Sequence, residues 1–186
     1  DTGAAALHFT RDYAPWSGAL EARIKAICDK AGVACKRHGG YLLHEPEALQ
    51  TGSGNFYKVY TPFSRACFAR GERRPPRPAP QVTWASHNLA SENLGGWQLL
   101  PNKPNWATGF EQAWQPGEAG AKARLADFLD NGLQGYAEGR DRPDQTHTSR
   151  LSGHLHWGEI SPIQLWYSTR MRMASAEGAL DGDGGK

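Results

Sequence analysis

Thr148, Ser149, Arg150 and Ser152 bring three hydroxyl groups and one guanidinium together within the five residues 148–152. Hydroxyls donate hydrogen bonds without carrying charge, and a guanidinium is positive at any physiological pH. A helix beginning near Leu151 would add its first, unpaired backbone amides to the set. Such a set suits an anion, and a phosphate above all. The same residue types are also what a helix needs at its N-cap, so capping by Thr148 or Ser149 is the competing reading. Just upstream, Arg140 has Asp141 and Asp144 as candidate ion-pair partners. His147, His154 and His156 have no convincing fourth ligand at suitable spacing, which favours hydrogen-bonding roles over a metal site. No residue is assigned as catalytic.

The elements around this segment follow from periodicity. Leu125, Phe128, Leu129, Leu133 and Tyr136 recur every three or four residues and predict one amphipathic helix of about five turns, closed by Gly139. Ser161-Pro162 is an N-cap followed by a first-position proline and predicts the next helix, through Leu165, Trp166 and Met173. Nearer the start, Ala4 to Phe9 reads as a buried strand and Ser17 to Ala31 as a helix, with Ser17 as N-cap and Leu20, Ile24 and Ile27 on its apolar face. Val33 to Lys36 and Tyr41 to Leu43 read as further extended segments. Strand, helix, strand points to a parallel α/β sheet. The TGSG at 51–54 lacks the Gly-Lys-Ser/Thr of a phosphate loop and reads as a turn. Thr61-Pro62 opens a helix that Gly71 ends, and the proline-rich tract 72–116 reads as a connector held down by Trp84, Leu94, Trp97, Leu99, Leu100 and Trp106. Arg70, Arg73, Arg74 and Arg77 make its start basic, a pattern able to touch phosphate but more usual in solvated surfaces. The glycine-rich tail from Glu177 reads as mobile.

Composition sets limits on function. With 186 residues, 39% of them apolar, and a net charge of +2, the chain is globular in character and too mildly basic to announce a nucleic-acid partner. Three cysteines without ligand spacing argue for reduced thiols. No apolar run is long enough to cross a bilayer and no secretory signal opens the chain, so a cytoplasmic location is expected.

Several of these segments resemble one family in its own order. GRDRPD at 139–144, TSRLS at 148–152 and HLHWGEISP at 154–162 are similar to the start of the flavin-binding domain of DNA photolyases and cryptochromes. YKVYTPF at 57–63 is similar to the same family's Y-K-V-F-T-P-F segment, and Trp114, Pro116-Gly117-Glu118 and Gly120-Ala121 resemble the start of its helical domain. Gly153 departs from the proline common in the family. The resemblance implies an α/β plus all-α fold class. Residues 1–71 would be the C-terminal part of a Rossmann-like, antenna-type α/β domain, 72–116 an interdomain connector, and 117–186 the truncated start of a helical FAD-binding domain. It further implies that Tyr136, Thr148, Ser149, Arg150, Leu151 and Ser152 line FAD, the last five meeting its diphosphate, and that Arg140 meets a DNA phosphate at the mouth of the flavin cavity. The implied activity is light-dependent repair of cyclobutane pyrimidine dimers in ultraviolet-damaged DNA by a monomer, a carbon–carbon lyase. A cryptochrome photoreceptor without repair is the alternative. The family's lesion pocket and electron-transfer tryptophans would follow Lys186, so the chain alone is expected to be inactive. A second, antenna chromophore is possible. Ser17 stands where folate-binding relatives carry a carboxylate, which leaves its identity open.

Overall fold

The computed structural model describes residues 3–71, 74–85 and 90–182, the last six by backbone alone. Arg73 and the final four residues lie outside the described residues. The chain divides into two compact units, Gly3–Pro76 with the chain from Ser161 onward, and Arg77–Ile160. This division by contact is not the partition expected from the resemblance, because the helix after Ser161 groups with the N-terminal residues.

In the first unit, strands β1 (Ala6–Thr10) and β2 (Ala34–His38) pair in parallel, Ala6 opposite Ala34 and Thr10 opposite His38, with helix α1 (Ser17–Lys30) connecting them. The expected strand–helix–strand unit is therefore present. Two details differ. Tyr41 to Leu43 is not a strand, since it follows Gly40, at φ 152°, as a run of bends that leads directly into a 3₁₀ turn at Pro46–Ala48. The apolar stripe of α1 and the strand β1 are also largely exposed, Leu20 at 51% and Ile27 at 67%, because a two-stranded sheet is too narrow to cover them. Ser17 is the first helical residue and not the cap, and its buried hydroxyl donates to the Asp12 carboxylate.

The TGSG segment is the expected turn, with the Thr51 amide donating to the Asn55 carbonyl at 2.8 Å. Helix α2 (Tyr60–Ala69) starts one residue before Thr61 and ends as expected: Gly71, at φ 76°, donates its amide to the Phe68 carbonyl in the left-handed geometry that glycine adopts without strain.

In the second unit the connector holds a 3₁₀ turn, Leu94–Trp97, and a short helix, α3 (Thr108–Ala113). Its large apolar residues are not packed down as expected, Trp84 being 85% and Leu100 75% exposed. The single five-turn helix expected after Pro116 is broken in three: α4 (Glu118–Asp127), a π-helical turn Phe128–Gly132, and α5 (Tyr136–Gly139). Gly132 explains the break, for a methyl group there would sit 2.8 Å from the Phe128 ring, and the Leu133 amide reaches back five residues to the Phe128 carbonyl at 2.8 Å. Helix α6 (Ser152–His156) follows. The last helix, α7 (Pro162–Gly182), belongs to the first unit and opens with a reciprocal capping box. The Gln164 amide donates to the Ser161 hydroxyl at 3.1 Å and the Ser161 amide to the Gln164 side chain at 2.9 Å. Its backbone runs helical through Gly182, so the tail from Glu177 is ordered further than its glycine content suggests.

One polar cluster ties the end of β1 to the 3₁₀ turn. Arg11 grips Glu47 with two bonds of 2.7 and 2.9 Å and reaches Glu45 at 3.2 Å, while the Tyr13 hydroxyl donates to Glu45 at 2.6 Å. The hydrogen bond from Arg11 lowers the Glu47 pKa from 4.5 to about 2. A carboxylate held low contributes stability above its unfolded value and loses it as the pH falls toward the folded one. We expect Arg11→Gln to return Glu47 to the range near 4.5 in a carboxyl titration followed by NMR. A value that stays near 2 in the variant would show that Arg11 is not the cause.

Candidate functional site

Ser149, Arg150 and Leu151 form a tight turn whose hinge is Arg150, at φ 51°, a left-handed conformation that a side-chain-bearing residue adopts at a cost. Two contacts hold it there. The Leu151 amide donates to the Ser149 hydroxyl at 3.4 Å, and Leu151 itself, 1% exposed, is the largest fully buried side chain described. Leu151 therefore anchors the turn by its burial, in the unit that also buries Ala121, Leu125, Phe128 and Ile160. With the aliphatic side chain pointing inward, the hydroxyls of Thr148 and Ser152 stay on exposed residues.

Trp114 is the platform on which the cation rests. The Arg150 guanidinium lies 5.4 Å from its ring centroid and Arg124 lies 5.9 Å from it, while His154 meets the same ring edge-on at 6.1 Å. Among the described residues no carboxylate pairs with Arg150. Stacking on an aromatic face orients a guanidinium and leaves its N–H donors available. Gly120 lets this platform approach α4: a side chain there would run into the Gln115 carbonyl.

Beneath the turn, Glu159 links three parts of the unit. Its carboxylate takes a hydrogen bond from the buried His154 ring at 2.5 Å and another from the Gly117 amide at the start of α4. These two donors, the histidine first, hold the Glu159 pKa below the ordinary carboxylate range.

The other expected site residues stand on α5. The Tyr136 ring meets Phe128 edge-on at 5.9 Å, and Arg140 lies over Tyr136 at 5.9 Å with Asp141 3.6 Å from its Nε. The hydrogen bond to Tyr136, then the charge of Asp141, raises the Arg140 pKa. Asp144 pairs instead with Arg142, at 2.8 Å. Among the described residues, no hydrogen bond, ion pair or ring contact joins Tyr136 or Arg140 to 148–152. His147 stands between the two groups, half-buried, its ring against Gly135 and Gly139 of the α5 segment.

As chemistry, the turn offers a cation with no carboxylate partner among the described residues, hydroxyls at 148 and 152, and the first amides of α6, which have no acceptor within the helix. That donor set fits a phosphate. The helix contributes through individual N–H groups more than through a macrodipole, since it is only five residues long. Sequence reasoning missed Trp114 as a platform and Glu159 as a clamp. The Trp114 contact joins residues 36 positions apart and leaves no local pattern, whereas the spacing from His154 to Glu159 was visible but uninformative without a helix boundary.

A profile of the DNA photolyase family matches residues 1–81. Over 171 residues, or 91% of this chain and 36% of the relative, the sequence is 44% identical to a deoxyribodipyrimidine photo-lyase of Agrobacterium fabrum. A crystal structure of a bacterial class III photolyase from Agrobacterium tumefaciens superposes with a TM-score of 0.84 at 44% identity, covering 89% of this chain and 35% of that one. The chain belongs to the photolyase and cryptochrome family. A photolyase of a Synechococcus strain is 33% identical over 95% of the chain and 36% of its own length, and cryptochromes match at lower identity. The chain thus spans about a third of the length of these photolyase relatives. Its two parallel strands and helices are those of the photolyase α/β fold.

The clamp makes a pH-dependent contribution. Because the folded Glu159 pKa is depressed, its stabilisation is present above the ordinary glutamate value and is lost as the pH falls through the folded one. Thermal unfolding followed from about pH 7 to about pH 3 should show a steeper acid loss in the parent than in Glu159→Gln. Parallel curves would mean that the clamp carries no stability.

Proposed function

We propose that the protein carrying this chain is a flavoprotein deoxyribodipyrimidine photo-lyase that acts on pyrimidine dimers in ultraviolet-damaged DNA. The observation that carries the reading is Arg150, lifted into a left-handed turn, stacked on Trp114 and without a carboxylate partner among the described residues, beside the hydroxyls of Thr148, Ser149 and Ser152. Arg150 is exposed, so its charge is open to a ligand arriving from solvent. A dinucleotide pyrophosphate neutralises it from outside.

In this reading Arg150 and the hydroxyls bind the FAD diphosphate, Leu151 fixes the turn by its burial, and Tyr136 borders the flavin from α5. FAD, when bound, supplies the light absorption and the electron that split the dimer. Arg140, more than half exposed at its side chain and paired only loosely with Asp141, is free to exchange that partner for a phosphate of the damaged strand. We read residues 1–71 as part of the α/β domain, 72–116 as connector and 117–186 as the start of the helical flavin domain. A monomer in the cytoplasm is consistent with this. Among the described residues no helix is long and apolar enough to cross a membrane. The names of the nearer relatives support repair over photoreception.

Flavin titration of the full-length protein tests the cradle. Thr148→Ala and Ser149→Ala should each weaken FAD binding by about 1 kcal/mol, or roughly fivefold. Unchanged affinity in both would remove the phosphate role. For the DNA contact, Arg140→Ala should lower the slope of log affinity against log salt by about 1 on a dimer-containing duplex. An unchanged slope would leave Arg140 as the partner of Asp141 alone. Light-dependent repair of the same duplex by the parent, or its absence, separates a photolyase from a cryptochrome.

A further inference from the structure

We propose that His147 is a positioning residue that sets the distance between the 148–152 turn and the Tyr136 side of the cradle. The proposal rests on the pyrophosphate reading above. The His147 ring is wedged against the backbone of the α5 segment where that segment has no side chains. A methyl group at Gly135 would lie 2.5 Å from its Nδ1, and one at Gly139 would lie 2.6 Å from its Cγ and 2.7 Å from its Cβ. Gly135 and Gly139 are one helical turn apart, so the flat of the ring spans the groove between them. Gly132, in the preceding π-helical turn, meets the same stretch of chain, with the Thr146 carbonyl 3.6 Å from where its side chain would begin. Residues 146 and 147 therefore run along a glycine track, and Thr148 is the first residue to leave it.

The Nδ1 atom of His147 is buried and has no hydrogen-bond partner. At that atom the ring is held by shape and not by a polar contact. Its thickness fixes how far the turn stands from α5, the helix that carries Tyr136 and ends at the cap residue Arg140. Hydrogen bonds to a diphosphate tolerate little displacement of their donors, so a turn that settles toward α5 would bind the ligand less well even when fully folded.

The test uses FAD affinity in the full-length protein, with the thermal unfolding midpoint of each variant measured alongside. His147→Ala should weaken FAD binding about tenfold, and His147→Phe, which keeps a planar ring and lacks the nitrogens, should restore it to within about threefold of the parent. Gly139→Ala, which forces the ring out, should weaken binding at least as much, and the Gly139→Ala, His147→Ala double variant should bind no worse than His147→Ala. Should Gly139→Ala fail to fold, recovery of folding in the double variant supports the same wedge, and failure of both overturns it. A lower unfolding midpoint with unchanged FAD affinity, or losses that multiply in the double variant, would overturn the positioning role. Ser149→Ala measured in parallel separates the two readings: if it leaves FAD binding unchanged, the cradle itself fails, and if it weakens binding while His147→Ala does not, only the wedge fails.

Discussion

The second unit depends on one carboxylate. Glu159 accepts hydrogen bonds from the His154 ring and from the Gly117 amide, and so joins the helix that follows the turn to the start of the helix on which the turn packs. Without that bridge, α6 would be a five-residue helix, too short to be stable alone. With it, Leu151 and Ile160 can be buried at the two ends of the same short segment, 1% and 3% exposed. The exposed hydroxyls and Arg150 are then presented from a backbone that has little freedom to collapse. A partner charge inside the unit would have quenched Arg150. The stack on Trp114 orients it without doing so.

Small residues do the complementary work. Gly120 and Ala121 allow the Trp114 loop to lie against α4, while Gly132, Gly135 and Gly139 allow the chain from Thr146 to His147 to lie against the π-helical turn and α5. Each of these glycines carries a cost in helix propensity, and together they break what periodicity alone would make one continuous helix. Along the broken stretch the Thr146 carbonyl comes against Gly132 and the His147 ring against Gly135 and Gly139. Close approach, more than apolar burial, organises this region, in keeping with the few fully buried apolar side chains described.

Much of this was legible in the sequence. The strand–helix–strand start, the Gly71 stop and the Ser161-Pro162 cap all follow from local patterns, and the structure contains each element. The losses came where a tertiary partner decides. Tyr41 to Leu43 has strand composition, yet no ladder forms there. Leu125 to Tyr136 has helical periodicity, but Gly132 and Gly135 answer to the Phe128 and His147 rings instead of to helix geometry. Ser17 looks like a cap, and its hydroxyl is taken by Asp12 from outside the helix. The connector aromatics promised packing and are largely exposed. The residue types were read correctly and their surroundings were not: Ser17 answers to Asp12 outside its helix, Gly132 to the Phe128 ring and Gly135 to the His147 ring.

Hydrogen exchange on the full-length protein, with and without FAD, addresses the central claim most directly. If the turn carried by Leu151 and clamped through Glu159 binds a flavin diphosphate, the amides from Arg150 to His154 should exchange markedly more slowly when FAD is present. FAD binding that protects other segments and leaves these amides exchanging at their ligand-free rate would contradict the account.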